Sequence, residues 1–360
     1  MNKIIFGKNV HFNIKSELLS LVEDNLSLYE NTTSNLTDVI VSFNNELKDS
    51  YTESVNPKIL TKLDNGFISH YRNIDVAWFM VDDILNVNLK VKDKSKTRDF
   101  ISKIISMEFS TQKQMIGQIL HELVLVPMTY FFKDIMPIHA ATISKNNKAY
   151  LFTGTGGVGK SSALLALKDL DVGFISDDIA IISKDAIVYG NMAEPKIYGY
   201  NCIGNEMKDL ILSDKSIANK LHFKIKNKIN TQKVRRKIKP SRLFNQVDVQ
   251  GTKIEKMFFL FRENTSEFSV EKINANDAKE MSISIISSEY SDFNRFIEWY
   301  SYNCTCTKSE AIVRIKDVIS NWNYIFDSAF SCLDIFKITI PLDMKHQEYQ
   351  IKMRELGHEL

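Results

Sequence analysis

Gly154, Thr155, Gly156, Gly157, Val158, Gly159, Lys160 and Ser161 fit the pattern G-x-x-x-x-G-K-[ST] without a mismatch, and Ser162 follows directly. Glycines let the backbone turn so that its N–H groups converge on an anion with no side chain in the way. A helix starting at Ser161 would add its positive end. Lys160 would reach the terminal phosphates of a nucleotide, and the Ser161 hydroxyl would ligate Mg²⁺. The plainer alternative is a glycine-rich turn that holds nothing. Asp177 and Asp178 come 17 and 18 residues after Lys160, at the end of the apolar run "GFIS". One acid at that place suffices to hold Mg²⁺, and a second is free to take a proton from an attacking hydroxyl. An ordinary Asp-Asp turn is the competing reading. His139 lies 21 residues before Lys160, between Ile138 and Ala140, and taken alone is a packed histidine.

These residues need a particular frame. "MPIHAATISKNNKAYLFTG" reads as two strands joined by an Asn-Asn turn, "AYLF" runs into the glycine loop, and "KSSALLALKDL" has helical apolar spacing. "VGFISDD" is then a strand with carboxylates at its mouth, followed by the strand-like "IAIIS" and "AIVYG". Strand, glycine loop, helix and acid-tipped strand is the order of a mononucleotide-binding α/β unit. Upstream, Ile116, Ile119, Leu120, Leu123 and Val124 predict a helix over 114–132 that Pro127 kinks or ends. Residues 1 to about 110 alternate strand-like runs with polar connections and offer no chemical motif. Downstream, "KMFFLF", with Arg262 near its end, and "FSVEKI" are strands, and helices interrupted by the strand-like "FKITI" finish the chain.

The 360 residues carry 46 Lys plus Arg against 44 Asp plus Glu, so net charge gives no case for nucleic acid or a membrane surface as partner. Cys202, Cys304, Cys306 and Cys332 make neither a disulfide framework nor a zinc set. "MNKIIFGKNVHF" does not read as a secretory signal, and "LVLVPMTYFF" is too short to span a bilayer, which makes a cytoplasmic protein the simplest expectation.

The run "IHAATISKNNKAYLFTGTGGVGKSSALLALKDLDVGFISDDIAIIS" resembles the catalytic core of the HPr kinase/phosphorylase family, over about residues 136 to 190. The resemblance implies an α/β fold with a PEP-carboxykinase-like P-loop kinase core, here at 134–345, behind an additional α+β N-terminal domain at 1–133 and before a helical tail at 346–360. It implies ATP and Mg²⁺ as cofactors, Asp177 as general base, and His139 as a neighbour that tunes or assists it. Lys160 and the loop amides would grip the phosphates, and Ser161 and Asp178 would stand on the metal side. The chain departs from the family in "NMAEPKIYGYNCIGNEMKD", where the family's second signature, with its Glu and Arg, has no counterpart beyond Glu194. The protein acceptor HPr and the reverse phosphorolysis are therefore not implied. The acceptor stays open among a small molecule, a sugar and a peptide serine, and a homo-oligomer is compatible with all of them.

Residues 215 to 247 hold eleven Lys plus Arg and no acid. Three readings suit such a run: a solvated loop or lid, a cationic contact to phosphate or acceptor through Arg235, Arg236, Arg242 or the more distant Arg262, and a nucleic-acid surface. The competing function for the whole chain is a nucleotide switch or ATPase with no acceptor.

Overall fold

The computed structural model describes residues 1–14, 16–44, 47, 54–92, 105–202 and 206–360. Its first part is a mixed sheet of β1 (Asn2–Ile5), β2 (Lys8–Asn13), β3 (Val39–Phe43), β4 (Thr61–Leu63), β5 (Gly66–His70), β6 (Ile74–Val81) and β7 (Ile84–Val91). Their order is β1-β2-β3-β7-β6-β5-β4. Helix α1 (Ser16–Asn25) supplies the crossover that parallel β2 and β3 require. Trp78 of β6 is fully buried and stacks on Phe131, while Phe67 of β5 stacks on Tyr300 of a C-terminal helix. One continuous apolar cluster therefore runs from this sheet into the second half of the molecule.

Helix α2 (Gln112–Leu120) starts at a capping box between Thr111 and Gln114. Its successor is not a plain helix. A π-helical turn at His121–Leu125 comes just before Pro127, with the Val126 amide reaching back to the His121 carbonyl. Proline cannot donate to the ladder and crowds the carbonyl four residues back, and the wider turn absorbs that conflict without breaking the rod.

The second sheet is also mixed. It contains β8 (Ile135–Ile138), β9 (Ala140–Lys145) and β10 (Lys148–Thr153), then helix α3 (Lys160–Leu167), β11 (Gly173–Ser176), β12 (Ala180–Ser183) and β13 (Ile187–Tyr189). After the outlying strand β14 (Lys196–Tyr198) come α4 (Glu206–Leu212), α5 (Ile217–Ile229) and β15 (Arg235–Lys237), the partner of β14. The sheet is completed by β16 (Gln246–Val247), the long β17 (Thr252–Glu263), β18 (Ser269–Lys272) and, beyond helices α6 (Ala275–Glu289), α7 (Ser291–Thr307) and α8 (Ile315–Phe330), β19 (Asp334–Pro341). Asn146 and Asn147 turn the β9–β10 hairpin with φ of 52° and 61°, a left-handed pair that asparagine tolerates. The fold is thus mixed α/β, with β10, β17 and β19 running parallel.

The chain closes with α9 (His346–His358), which lies on α3. Helix α3 is buried on every side, since the sheet covers one face and α9 the other.

The basic segment is built from helix α5 and strand β15 rather than a loop, and the outer face of the helix is exposed. Ser216 caps α5 by accepting from the Asn219 amide, and Phe223 on its inner face is fully buried beneath the Arg236 guanidinium, 5.0 Å from the ring centre. Some of the cations have carboxylate partners, while Lys220, Lys224, Lys228 and Lys233 lie at exposed positions. Glu108 takes Arg235 at 2.6 Å and Lys237 at 2.9 Å, and Asp214 takes Arg242 at 2.6 Å. Burial opposes ionisation of Glu108, but Lys237, Ser110 and Arg235 outweigh it and bring its pKa to about 2.

Because that pKa lies below the ordinary 4.5, the pairing stabilises the protein above pH 4.5 and is lost as pH falls toward 2. Replacing Glu108 with Gln leaves Lys237 buried without a counter-charge. Urea titrations at pH 7 should show a loss of about 3 kcal/mol, and the gap between wild type and E108Q should close as pH drops through that window.

Candidate active site

Strand register brings the motif residues to one edge of the sheet. Thr153 at the end of β10 faces Ala140 at the start of β9, and β9 is antiparallel to β11, whose last residue is Ser176. The Thr153 hydroxyl donates to the His139 carbonyl and the Ser176 hydroxyl to the Ala140 carbonyl. Glycine loop, histidine and acid pair thus leave the sheet together, although β9 lies between the loop strand and the acid strand.

In the loop, Gly154, Gly157 and Gly159 hold φ of 142°, 81° and 119°. Gly154 sits against the Leu260 carbonyl, where a Cβ would come within 2.8 Å, and Gly156 and Gly157 face open space. The exposed Thr155 precedes them, and the Val158 carbonyl accepts from Arg262 Nε at 3.3 Å. Lys160 is buried and folds back to donate to the carbonyls of Gly154 and Thr155 at 2.9 and 3.0 Å. Burial lowers its pKa against the pull of Asp178, Glu289 and Asp177. The Ser162 hydroxyl is committed to Asn201 at 3.0 Å. Above the loop, the Tyr349 hydroxyl of α9 donates to the Gly159 carbonyl at 3.1 Å, and the Arg262 guanidinium lies over the Tyr349 ring.

Gly156, Gly157, Gly159, Lys160, Ser161 and Ser162 line a cleft of about 690 Å³ together with His139, Asp178 and Arg262. A second, narrower pocket of about 40 Å³ lies between this half and α2, and Asp177, His121, Glu122, Glu194 and Lys196 line it. Asp178 borders both spaces and Asp177 only the narrow one.

β11 ends at Ser176, so the two acids sit on a bend and part company. Asp177 is 8% exposed, and its Oδ1 has no hydrogen-bond partner. Burial, then the charge of Asp178, push its pKa up to about 6, against the Ser161 hydroxyl and Lys196. The Asp178 side chain is 55% exposed to the cleft. Desolvation disfavours its charge, but His139, Lys196 and Lys160 prevail and hold its pKa at about 2. The hydrogen bond of His139 goes to Asp178, with Nε2 3.0 Å from Oδ1, and Glu289 Oε1 lies 3.4 Å from Nδ1 on the other side.

Several site residues escape motif reading. Glu289 arrives from the last turn of α6, with nothing in its neighbourhood to mark it. His121 is buried in the π-turn with Nδ1 2.9 Å from Asn191 Oδ1, and burial lowers its pKa to about 4. Lys196 pairs with Glu122 at 2.7 Å, and Glu194 accepts from Gln114 at 2.7 Å. Arg236 and Arg242 have partners outside the cleft, Arg235 divides between Glu108 and the cleft residue Tyr198, and of the arginines considered from sequence it is Arg262 that lines the cleft beside the loop.

No family model and no curated protein matches the chain. Among solved structures, the HPr(Ser) kinase/phosphatase from Coxiella burnetii is similar at 12% identity and a TM-score of 0.28, over 62% of this chain and 96% of that one, a weak likeness overall. Among the described residues, no helix is long and apolar enough to cross a membrane.

The raised pKa of Asp177 carries a stability cost with a defined sign. Below 3.8 the carboxyl is protonated folded or unfolded; between 3.8 and about 6 the unfolded chain ionises while the folded one resists. Stability should fall across that window and then level off, by about 2–3 kcal/mol. Asp177→Asn removes the term, so its Tm should exceed that of wild type at pH 8 and match it near pH 3.5; equal Tm values at pH 8 would contradict the burial argument.

Proposed function

We propose that the protein is a kinase that uses ATP and Mg²⁺ to phosphorylate a hydroxyl group, with Asp177 as general base. The observation that carries this reading is the division of the acid pair. A buried carboxyl with a bare oxygen and a pKa near neutrality faces a narrow pocket, while its neighbour, held ionised, borders the phosphate cleft. A plain ATPase has no use for the first of these.

The fit to a nucleotide rests on the open faces of Gly156 and Gly157, the helix end at Lys160 and the cation of Arg262 above the loop. Among the described residues no set of three His, Cys, Asp or Glu side chains could hold a metal. That suits an ion bound by Asp178 and Ser161 together with phosphate oxygens and water. Bound there, it would neutralise charge on the phosphates. Lys160 would exchange its two backbone carbonyls for phosphate oxygens, and the amides of residues 156 to 161 would fix the chain of phosphates in line with the narrow pocket.

The acceptor hydroxyl enters from the Asp177 side. Its oxygen forms the new bond to the γ-phosphorus, the bond from that phosphorus to the β–γ bridging oxygen breaks, and ADP leaves with that electron pair. The proton passes to Asp177 Oδ1. His139 acts on Asp178 here, keeping it ionised and oriented between its own ring and Glu289. A pocket of about 40 Å³ has room for about three water-sized groups. It admits a hydroxymethyl group end-on, as a serine side chain or a small alcohol offers, and not a sugar ring lying flat.

The test is incubation of purified protein with Mg-ATP and a pool of metabolites and peptides, read by mass spectrometry for the gain of one phosphate. Transfer is expected in wild type, a loss of about a thousandfold or more in Asp177→Asn with ATP still bound, and loss of ATP binding in Lys160→Ala. Transfer by wild type should decline about tenfold per unit as pH drops below about 6, the value at which Asp177 takes up its proton. ATP consumption without any phosphorylated product, at a rate Asp177→Asn leaves untouched, would sink the kinase reading.

A further inference from the structure

The cleft contains an aromatic surface that neither phosphate binding nor proton transfer uses. Tyr198 ends β14 and Tyr200 stands in the tight 3₁₀ turn Gly199–Asn201. Their rings stack at 5.6 Å between centres with planes 18° apart, and His346 meets Tyr200 edge to face at 5.2 Å. All three line the cleft, and both tyrosines remain half-buried rather than packed into the core. Burial and the charge of Arg262 lower the pKa of His346, so near neutral pH it is an uncharged ring.

This surface is tied to the phosphate loop. Asn201 closes the 3₁₀ turn and bonds Ser162, so the turn is anchored to the first turn of α3. The Tyr198 hydroxyl accepts from Arg235 at 3.1 Å, which fixes the ring from its other end. Direction follows from the loop itself. Lys160 serves the β- and γ-phosphates, and His139, Asp178 and Glu289 mark the transfer end. The tyrosine turn is attached at Ser162, past Lys160 on the loop, so a bound triphosphate would extend its nucleoside toward the two rings.

We infer that Tyr198 and Tyr200 form the base subsite, on which a planar purine stacks, with the exposed Gln232 amide, a donor and an acceptor in one group, at the base edge. The inference rests on the reading that the loop holds a triphosphate. Stacking of a base on an aromatic side chain is sequence-tolerant and carries about a ten- to hundredfold change in affinity when the ring is removed.

Mg-tripolyphosphate, which has the phosphates and no base, separates the two ideas. Calorimetric titration of wild type should give Mg-ATP a Kd ten- to a hundredfold below that of Mg-tripolyphosphate. Tyr200→Leu and Tyr198→Leu, which keep apolar bulk without a π-face, should raise the ATP Kd toward the tripolyphosphate value and leave the latter within twofold. Tyr200→Phe should behave as wild type. Equal affinities for the two ligands in wild type, or parallel loss of both in the leucine variants, would overturn the base subsite while leaving the phosphate loop in place. Failure of wild type to bind either ligand would overturn the triphosphate reading and the subsite with it.

Discussion

Two carboxylates on adjacent residues repel each other, and a protein interior cannot hold both ionised without compensation. Most of what surrounds Asp177 and Asp178 answers that constraint. His139 and the ammonium groups of Lys160 and Lys196 are grouped on Asp178, which stays charged although Glu289 is close by. Asp177 receives less, and burial lifts it toward neutrality. The same repulsion that costs folding energy therefore sorts the pair into a fixed anion and a carboxyl whose pKa is raised to about 6, the division on which the proposed general base rests. Neither role could be assigned to either residue if both were solvated or both equally paired.

The sorting depends on backbone geometry more than on the acids. A two-residue Asn-Asn turn sets the β9–β10 register, and that register carries His139 to the sheet edge where the glycine loop begins. β11 joins the same edge through β9, so the acids leave the sheet beside the histidine rather than beside the loop strand. Helix α3 then has to be apolar all round, because the sheet and α9 enclose it, and Tyr349 of α9 reaches the loop from above. The loop is held from three sides: its own strand, Leu260 and Arg262 of β17, and the C-terminal helix.

The parts of this arrangement that were legible beforehand are the local ones. The loop, the hairpin turn and the acid-tipped strand each fit within some 45 residues, and hydrophobic period and turn chemistry mark them. Charge counting missed the paired cations of the basic run, because some of their partners lie far away in the chain: Glu108 meets Arg235 across 127 positions, while Lys220, Lys224, Lys228 and Lys233 stay exposed. Glu289 was invisible for the same reason, since a glutamate at the end of a helix is ordinary until the fold sets it beside a histidine. The tyrosines of "KIYGYN" had a local mark, two aromatics two apart around a glycine, but that pattern means nothing until the turn is tied to the helix that follows the glycine loop. The π-turn at His121 was half legible: Pro127 announced a conflict without saying that the helix would widen rather than stop.

The first part of the chain, which carries no chemical motif, supplies one wall of the narrow pocket. Its walls come from α2 and the π-turn on one side and from Asp177, Glu194 and Lys196 on the other, so neither half could form it alone. The ion pair between Glu122 and Lys196 and the bond between Gln114 and Glu194 cross that seam, and both lie at the pocket rather than in the apolar contact behind it. Apolar packing of Trp78 against Phe131 and Phe293 joins the halves behind it. Polar bonds at the seam add little stability for their cost, but they fix the width of a space that only small groups can enter. A widened helix turn does the same work, since it brings His121 to the pocket wall while the rest of the helix keeps its packing against the sheet. The boundary between the halves thus holds a space separate from the cleft at the glycine loop, with Asp178 as the residue common to both, and on the proposed kinase reading selectivity for the acceptor would reside there.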